Sequence, residues 1–185
     1  MIPLQLRRVP YGEGGKAMNI KRHTYISNEK IGLVEYLPVD DKANYNDWID
    51  AETQNGYNYN FNQTYDEFLS IEDRQCFIAS IELNNKDIIG MVSISPENTV
   101  PDLAIRIYYP YRNQGYGSTA FMLATKYALD FLNIDEIYAG CYEDNEASKI
   151  MLHKCGYKPH PEGNQFDKHY LTGIERIQFD FIYKK

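Results

Sequence analysis

Tyr111-Arg112-Asn113-Gln114-Gly115-Tyr116-Gly117-Ser118-Thr119-Ala120 is the stretch on which the reading of this chain turns. Upstream, Asp102 to Tyr109 alternates, with Leu103, Ile105 and Ile107 on one side and Asp102, Ala104 and Arg106 on the other, as a half-buried strand does. Downstream, Phe121, Ala124, Ala128, Leu129 and Leu132 form one stripe of a helix running from about Gly115 to Leu132. A strand therefore enters a turn with two glycines, and a helix leaves it. Glycines let the backbone wrap closely, and amides converging at a positive helix end suit an anion such as a pyrophosphate. The same residues fit the G-x-G-x-x-A pattern of dinucleotide folds, with Glu143 ending the next strand. Against that pattern, a polar Tyr111-to-Gln114 spacer intervenes, antiparallel strands come first, and too little chain follows to complete a doubly wound sheet. No Gly-Lys-Ser/Thr of a nucleotide P-loop occurs.

Working outward, Ile31 to Val39 reads as a strand running into a helix N-cap at Asp40 or Asp41. Tyr45, Trp48 and Ile49 give the following helix its apolar face, and Asn55-Gly56 is expected to stop it. Tyr57-Asn58-Tyr59-Asn60-Phe61-Asn62 then reads as a loop. Thr64-Tyr65-Asp66-Glu67 fits a capping box that opens another helix. Cys76 to Leu83 and Ile88 to Ile94 form a hairpin about Asn84-Asn85-Lys86-Asp87. Beyond the central helix, Ile134 to Tyr142 is a strand, and Asn145 caps a helix that ends at Gly156. Two alternating segments close the chain as a terminal hairpin. The order predicts an α+β domain over 20–185 with a mostly antiparallel sheet. Met1 to Asn19, with Pro3, Pro10 and Gly12-Glu13-Gly14-Gly15, reads as a separate arm.

Charge and cysteine content narrow the function. Among 185 residues, 19 Lys and Arg stand against 26 Asp and Glu, a net charge of −7, which disfavours duplex nucleic acid and favours a cationic partner. Cys76, Cys141 and Cys155 form no C-x-x-C and have no histidine at metal-binding spacing, so reduced thiols and no metal are expected. Cys141 and Cys155 read as small buried residues rather than nucleophiles. No membrane span or secretory signal is read, and a cytoplasmic location is expected.

Arg112-Asn113-Gln114-Gly115-Tyr116-Gly117 resembles the R/Q-x-x-G-x-G/A signature of the GNAT superfamily of acetyl-CoA-dependent N-acetyltransferases. Tyr109-Pro110-Tyr111-Arg112 is similar to the usual run into it, and Asn145 to Ser148 followed by Lys154-Cys155-Gly156-Tyr157 is similar to the family's N-x-x-S/A through K-x-G-F. The resemblance covers roughly Leu33 to Tyr183, and its N-x-x-S form looks like the branch of bacterial ribosomal-protein N-terminal acetyltransferases. It implies a GNAT-like mixed sheet of six to seven mostly antiparallel strands flanked by about four helices. It also implies acetyl-CoA as donor, a homodimer as an allowed state, and direct transfer to a primary amine of a protein N-terminus, a polyamine or an aminoglycoside.

By the same resemblance, the strand before the turn opens so that pantetheine pairs with the backbone of Ile105 and Ile107, the amide near Ile107 polarising the thioester. Arg112, Asn113, Gln114, Gly115, Tyr116, Gly117 and Ser118 would hold the pyrophosphate, and Asn145 would touch the cofactor. Asp102 stands where many relatives of that branch carry a glutamate and is the expected base; its other reading is a solvated strand end. Ser148 is the expected acid or a helix-start residue, because the family's commoner tyrosine is here Leu152. Loss of the chemistry with retention of the cradle would leave a CoA-binding module. Five of the nine residues from Asn55 to Gln63 are Asn or Gln, interleaved with Tyr57, Tyr59 and Phe61, an expected rim for a cationic acceptor.

Overall fold

A computed structural model describes residues 21–71, 75–96 and 99–185. The reading of 1–19 as an arm lies outside these residues. The first sheet is an antiparallel meander of β1 (Thr24–Ser27), β2 (Ile31–Glu35), β3 (Phe77–Leu83), β4 (Ile88–Ile94) and β5 (Leu103–Ile107), in that order. The second is built on β9 (Glu175–Lys184), which pairs along one edge with β6 (Glu136–Tyr142) and along the other with β7 (Lys158–Pro159) and β8 (Gln165–Lys168). The α+β, mostly antiparallel reading holds, with its strands divided between two sheets. β1 and β7 carry no sequence signal strong enough to be read alone. β7 is two residues long, and both depend on the neighbour they pair with.

Between the sheets in sequence runs α4 (Tyr116–Phe131), and α5 (Glu146–Lys154) follows β6. The stripe of Ala120, Phe121, Ala124, Ala128 and Leu129 is buried against Ile31, Leu33, Ile81, Val92 and Leu103, while Leu152 and Cys155 bring α5 to the same core. Small alanines on this stripe let α4 lie close to the sheet, where dense packing stabilises it. Ile105 and Ile107 pack on that core, whereas Arg106 points to the opposite face, as the alternation predicts.

That opposite face is covered by a cap of α1 (Asp41–Trp48), α2 (Ala51–Tyr57) and α3 (Tyr65–Ser70). The capping box at α3 forms as read, with the Glu67 amide on Thr64 Oγ1 (3.3 Å) and the Thr64 amide on Glu67 Oε2 (2.7 Å). Asp40 is the N-cap of α1, as read, though its carboxylate makes no bond to that helix and instead accepts from Arg22 (2.6 Å) and Ser80 (2.6 Å) in the interior. One expectation is corrected. The helix through Trp48 does not continue to Asn55-Gly56. Asp50 accepts from the Thr53 amide (3.0 Å) and starts a second helix, within which Asn55 and Gly56 lie.

α2 ends instead at Asn58, in the left-handed conformation (φ 51°) that asparagine tolerates. Its side chain is fully used. The amide nitrogen donates to Asp167 (3.1 Å) and the Lys168 carbonyl (2.8 Å), and the oxygen accepts from the Tyr170 amide (2.9 Å) and Arg176 (3.2 Å). One residue of the asparagine-rich tract thus ties the cap to the β8–β9 hairpin.

Two arginines bind the cap to β5. Arg106 bonds Asp47 (3.2 Å) and Asn44 and lies over the Trp48 ring, 4.1 Å from its centre. Arg112 spends all five of its donor N–H groups on Asp47 (2.8 Å), Asp50 (2.8 Å), Glu52 (2.9 Å), Thr53 (2.8 Å) and the Ile107 carbonyl (2.8 Å). Asp47, 2% exposed, is shared by both guanidinium groups. Asp47→Ala leaves two cations facing no common anion, and removing one partner of such a buried pair costs about 3–5 kcal/mol. Chemical denaturation should show a loss of that size; a loss below about 1 kcal/mol would contradict this account of how the cap is held.

Candidate active site

Amides and carbonyls of alternate strand residues point to opposite edges. On β5 the even-numbered positions serve β4: the Asp102 carbonyl accepts from the Ser95 amide (3.0 Å) and the Tyr108 amide donates to the Ile89 carbonyl (2.8 Å). The backbone groups of Ile105 and Ile107 consequently face β6. There the two strands meet once, in a parallel bridge of Asp102 with Tyr138, where the Tyr138 amide donates to the Pro101 carbonyl (2.9 Å). Beyond it, β5 and β6 form no further ladder among the described residues and part as a fork.

Side chains close two of the carbonyls on this edge. The Tyr57 hydroxyl donates to the Ile105 carbonyl (2.9 Å) and Arg112 Nε to the Ile107 carbonyl (2.8 Å). The Ile105 and Ile107 amides have no protein partner among the described residues, so the edge offers donors. Such an edge suits the acceptor oxygens of an acyl chain, including a thioester carbonyl.

The glycine turn stands at the mouth of the fork. Asn113 (φ 61°) and Gly115 (φ 83°) take left-handed conformations, and Gly115 is the N-cap of α4. The Thr119 amide is the first to bond back along the helix, to the Gly115 carbonyl (3.4 Å), so the amides of Tyr116, Gly117 and Ser118 stand ahead of it at the positive end. A side chain at Gly117 would meet Ile107 and Met151 at 3.7 Å, which sets this glycine between β5 and α5. Gln114, Gly115, Tyr116 and Thr119 also border a 370 Å³ depression with Lys30. The Arg112 guanidinium is committed to the cap and to the Ile107 carbonyl, and its backbone begins the turn.

On the α5 side, Asn145 caps the helix by accepting from the Ser148 amide (3.1 Å), as its sequence position suggests. A side chain at Gly56 would come within 3.7 Å of Asn145 Nδ2, so α2 reaches the same wall. Leu152 is 1% exposed and part of the core. Burial pushes the Cys141 and Cys155 thiols up to about 11, which keeps them protonated and poor nucleophiles.

Asp102 sits at the closed end of the fork and opens onto a cleft of about 540 Å³ lined also by Tyr138, Glu162, Gln165, Gln178 and Asp180. The residue is reached by solvent, yet the protein crowding its carboxyl and the nearby Asp180 raise its pKa to about 6. Of the expected aromatic rim, Tyr59 is 48% exposed, but Phe61 is only 8% exposed and stacks on Trp48 (5.8 Å), so it belongs to the interior of the cap. Tyr57 closes α2 and turns its hydroxyl to β5. Its position and that of Asp180 escape a sequence reading because their partners lie tens of residues away.

Residues 23–158 match the family described as the acetyltransferase (GNAT) domain. The chain belongs to that family of acetyltransferases, whose donor is acetyl-CoA. Among curated proteins, none matches it. Its fold is similar to that of spermidine N-acetyltransferase from Vibrio cholerae in complex with CoA and spermine (TM-score 0.77, 18% identity, 85% of this chain and 96% of that one). It is also similar to a GNAT acetyltransferase from Bacillus anthracis (TM-score 0.70, 17% identity, 86% and 97%). A third likeness is to the microcin C7 self-immunity acetyltransferase MccE with acetyl-CoA and AMP (TM-score 0.66, 15% identity, 85% and 94%). Among the described residues, no helix is long and apolar enough to cross a membrane.

Because a side chain at Gly117 meets only ordinary contacts, Gly117→Val should fold while filling the space at the turn. Calorimetry should show CoA binding weakened by about tenfold or more, at least 1.4 kcal/mol. Parent-like affinity in a folded variant would move the cradle elsewhere.

Proposed function

We propose that the chain transfers acetyl from acetyl-CoA directly to the primary amine of a cationic small molecule, with Asp102 as the general base. The reading is carried by one juxtaposition: the donor edge of the fork ends at Asp102, and Asp102 opens onto a cleft with Asp180 and Glu162. The amides of Asn113 to Ser118 take the pyrophosphate, those of Ile105 and Ile107 take the acyl chain and thioester oxygen, and Asn145 flanks the chain from α5. A pKa raised to about 6 suits Asp102 to its task, since it is ionised at neutral pH yet a stronger base than an ordinary carboxylate.

The acidic cleft supports a polyamine-like acceptor, with Tyr59 at the rim of the cap. A protein N-terminus is the second reading, supported by the Asn145-x-x-Ser148 pattern that resembles the ribosomal-protein branch. CoA release measured with polyamines, aminoglycosides and N-terminal peptides separates the two. Activity confined to peptides would overturn the first.

Asp102→Asn should lower kcat by about 10²-fold while sparing CoA affinity. Activity requires the carboxylate, so kcat/KM should rise as pH passes about 6 and this limb should vanish in the variant. A variant keeping both the rate and the limb would remove Asp102 from the mechanism.

With the cleft acidic and the chain at −7, kcat/KM for a polycationic amine should fall as salt is raised, more steeply than for a monoamine. Equal salt slopes would dissociate the cleft from acceptor capture.

A further inference from the structure

Acetyl transfer needs two proton tasks from the protein beside the proton that the adduct nitrogen sheds to solvent: one proton is taken from the attacking ammonium, and one is given to the sulfur as the thioester breaks. Asp102 answers for the first. For the second, Leu152 offers no polar group and is sealed in the core. Ser148 sits in the first turn of α5 with its amide bonded to Asn145. A hydroxyl that meets the open edge of β5 comes from the cap.

We propose that Tyr57 is the proton donor to the departing CoA sulfur, an inference that rests on the acetyl-transfer reading above. Its hydroxyl lies 2.9 Å from the Ile105 carbonyl, on the edge of β5 that faces β6. That is the edge whose amides are open to the acyl chain. The ring is fixed by edge contact with Trp48 (5.3 Å between centres), which Arg106 in turn covers. The preceding residue, Gly56, faces Asn145 on the opposite wall. Rotation about the phenolic C–O bond redirects the proton from the carbonyl into the fork without moving the ring.

The surrounding charges divide the two proton tasks. Tyr57 feels Arg106, Asp47 and Asp102, and burial, the largest influence, pushes its pKa up to about 12, so it stays protonated where Asp102 is ionised. The step balances. The neutral amine nitrogen bonds to the carbonyl carbon, the tetrahedral adduct gives up its remaining ammonium proton to solvent, the C–S bond breaks, and the electron pair left on sulfur takes the Tyr57 proton to give the thiol. The phenolate formed is next to Arg106 and regains its proton from solvent, while Asp102 releases the proton taken from the ammonium.

Tyr57→Phe keeps the packing on Trp48 and removes only the hydroxyl. We expect kcat to fall by about 10²-fold, the usual scale of general-acid loss, with CoA affinity unchanged by calorimetry. Ser148→Ala should retain kcat within a fewfold. A fluorinated tyrosine incorporated at position 57 makes the same hydrogen bond but is a stronger acid, and it should bring the alkaline limb of kcat to lower pH. A purely structural hydroxyl would leave that limb in place. Tyr57→Phe with parent kcat, a limb that does not move, or a large loss confined to Ser148→Ala would each overturn the proposal. Failure of the parent to acetylate any amine would instead overturn the reading beneath it.

Discussion

A strand that parts from its neighbour leaves backbone donors and acceptors that need other partners. β5 and β6 part after the single Asp102–Tyr138 bridge, and the rest of the chain is arranged about that gap. α4 starts at its mouth, α5 and the cap wall it, and two side chains, Tyr57 and Arg112, occupy the carbonyls of Ile105 and Ile107. The protein satisfies the two carbonyls of the edge itself and leaves the Ile105 and Ile107 amides open among the described residues. An edge of this kind orients an acyl group through its oxygens.

The cap is held by charge in a chain of net negative charge. Arg106 and Arg112 share Asp47 in an interior where an unpaired ion is costly, so the cap docks in one register or loses much of its stability. Arg112 stands in the glycine-turn motif, yet its guanidinium works on the cap. The residue that opens the glycine turn therefore also fixes α1 and α2, and with them Tyr57. The glycine turn and the cap are mechanically joined through one side chain. Asn58 extends the connection to the β8–β9 hairpin and so to the acidic cleft.

Features governed by neighbours in sequence were legible. The Thr64–Glu67 capping box, the Asn145 cap, Gly156 at φ 84° after α5, the β3–β4 hairpin and the stripe of α4 are each decided within a few residues. So was the strand–glycine turn–helix that carries the family likeness. The alternation of β5 placed Arg106 and Asp102 together on one face. What misled the local reading was competition. Asn55-Gly56 is a good stop signal, but Asp50 supplies a cap and Asn58 a better-anchored end, because its four hydrogen bonds reach residues more than 100 positions away.

The sequence by itself determined the strand–glycine turn–helix, the mixed α+β class and the acidic balance, since backbone conformation, helix capping and side-chain periodicity are short-range properties. Only the tertiary structure decided that Arg112 turns away from the turn, that Phe61 is interior, and that Tyr57 and Asp102 border the same fork. Those outcomes depend on which buried donor finds which buried acceptor, and in the interior that pairing is set by three-dimensional proximity rather than by spacing along the chain.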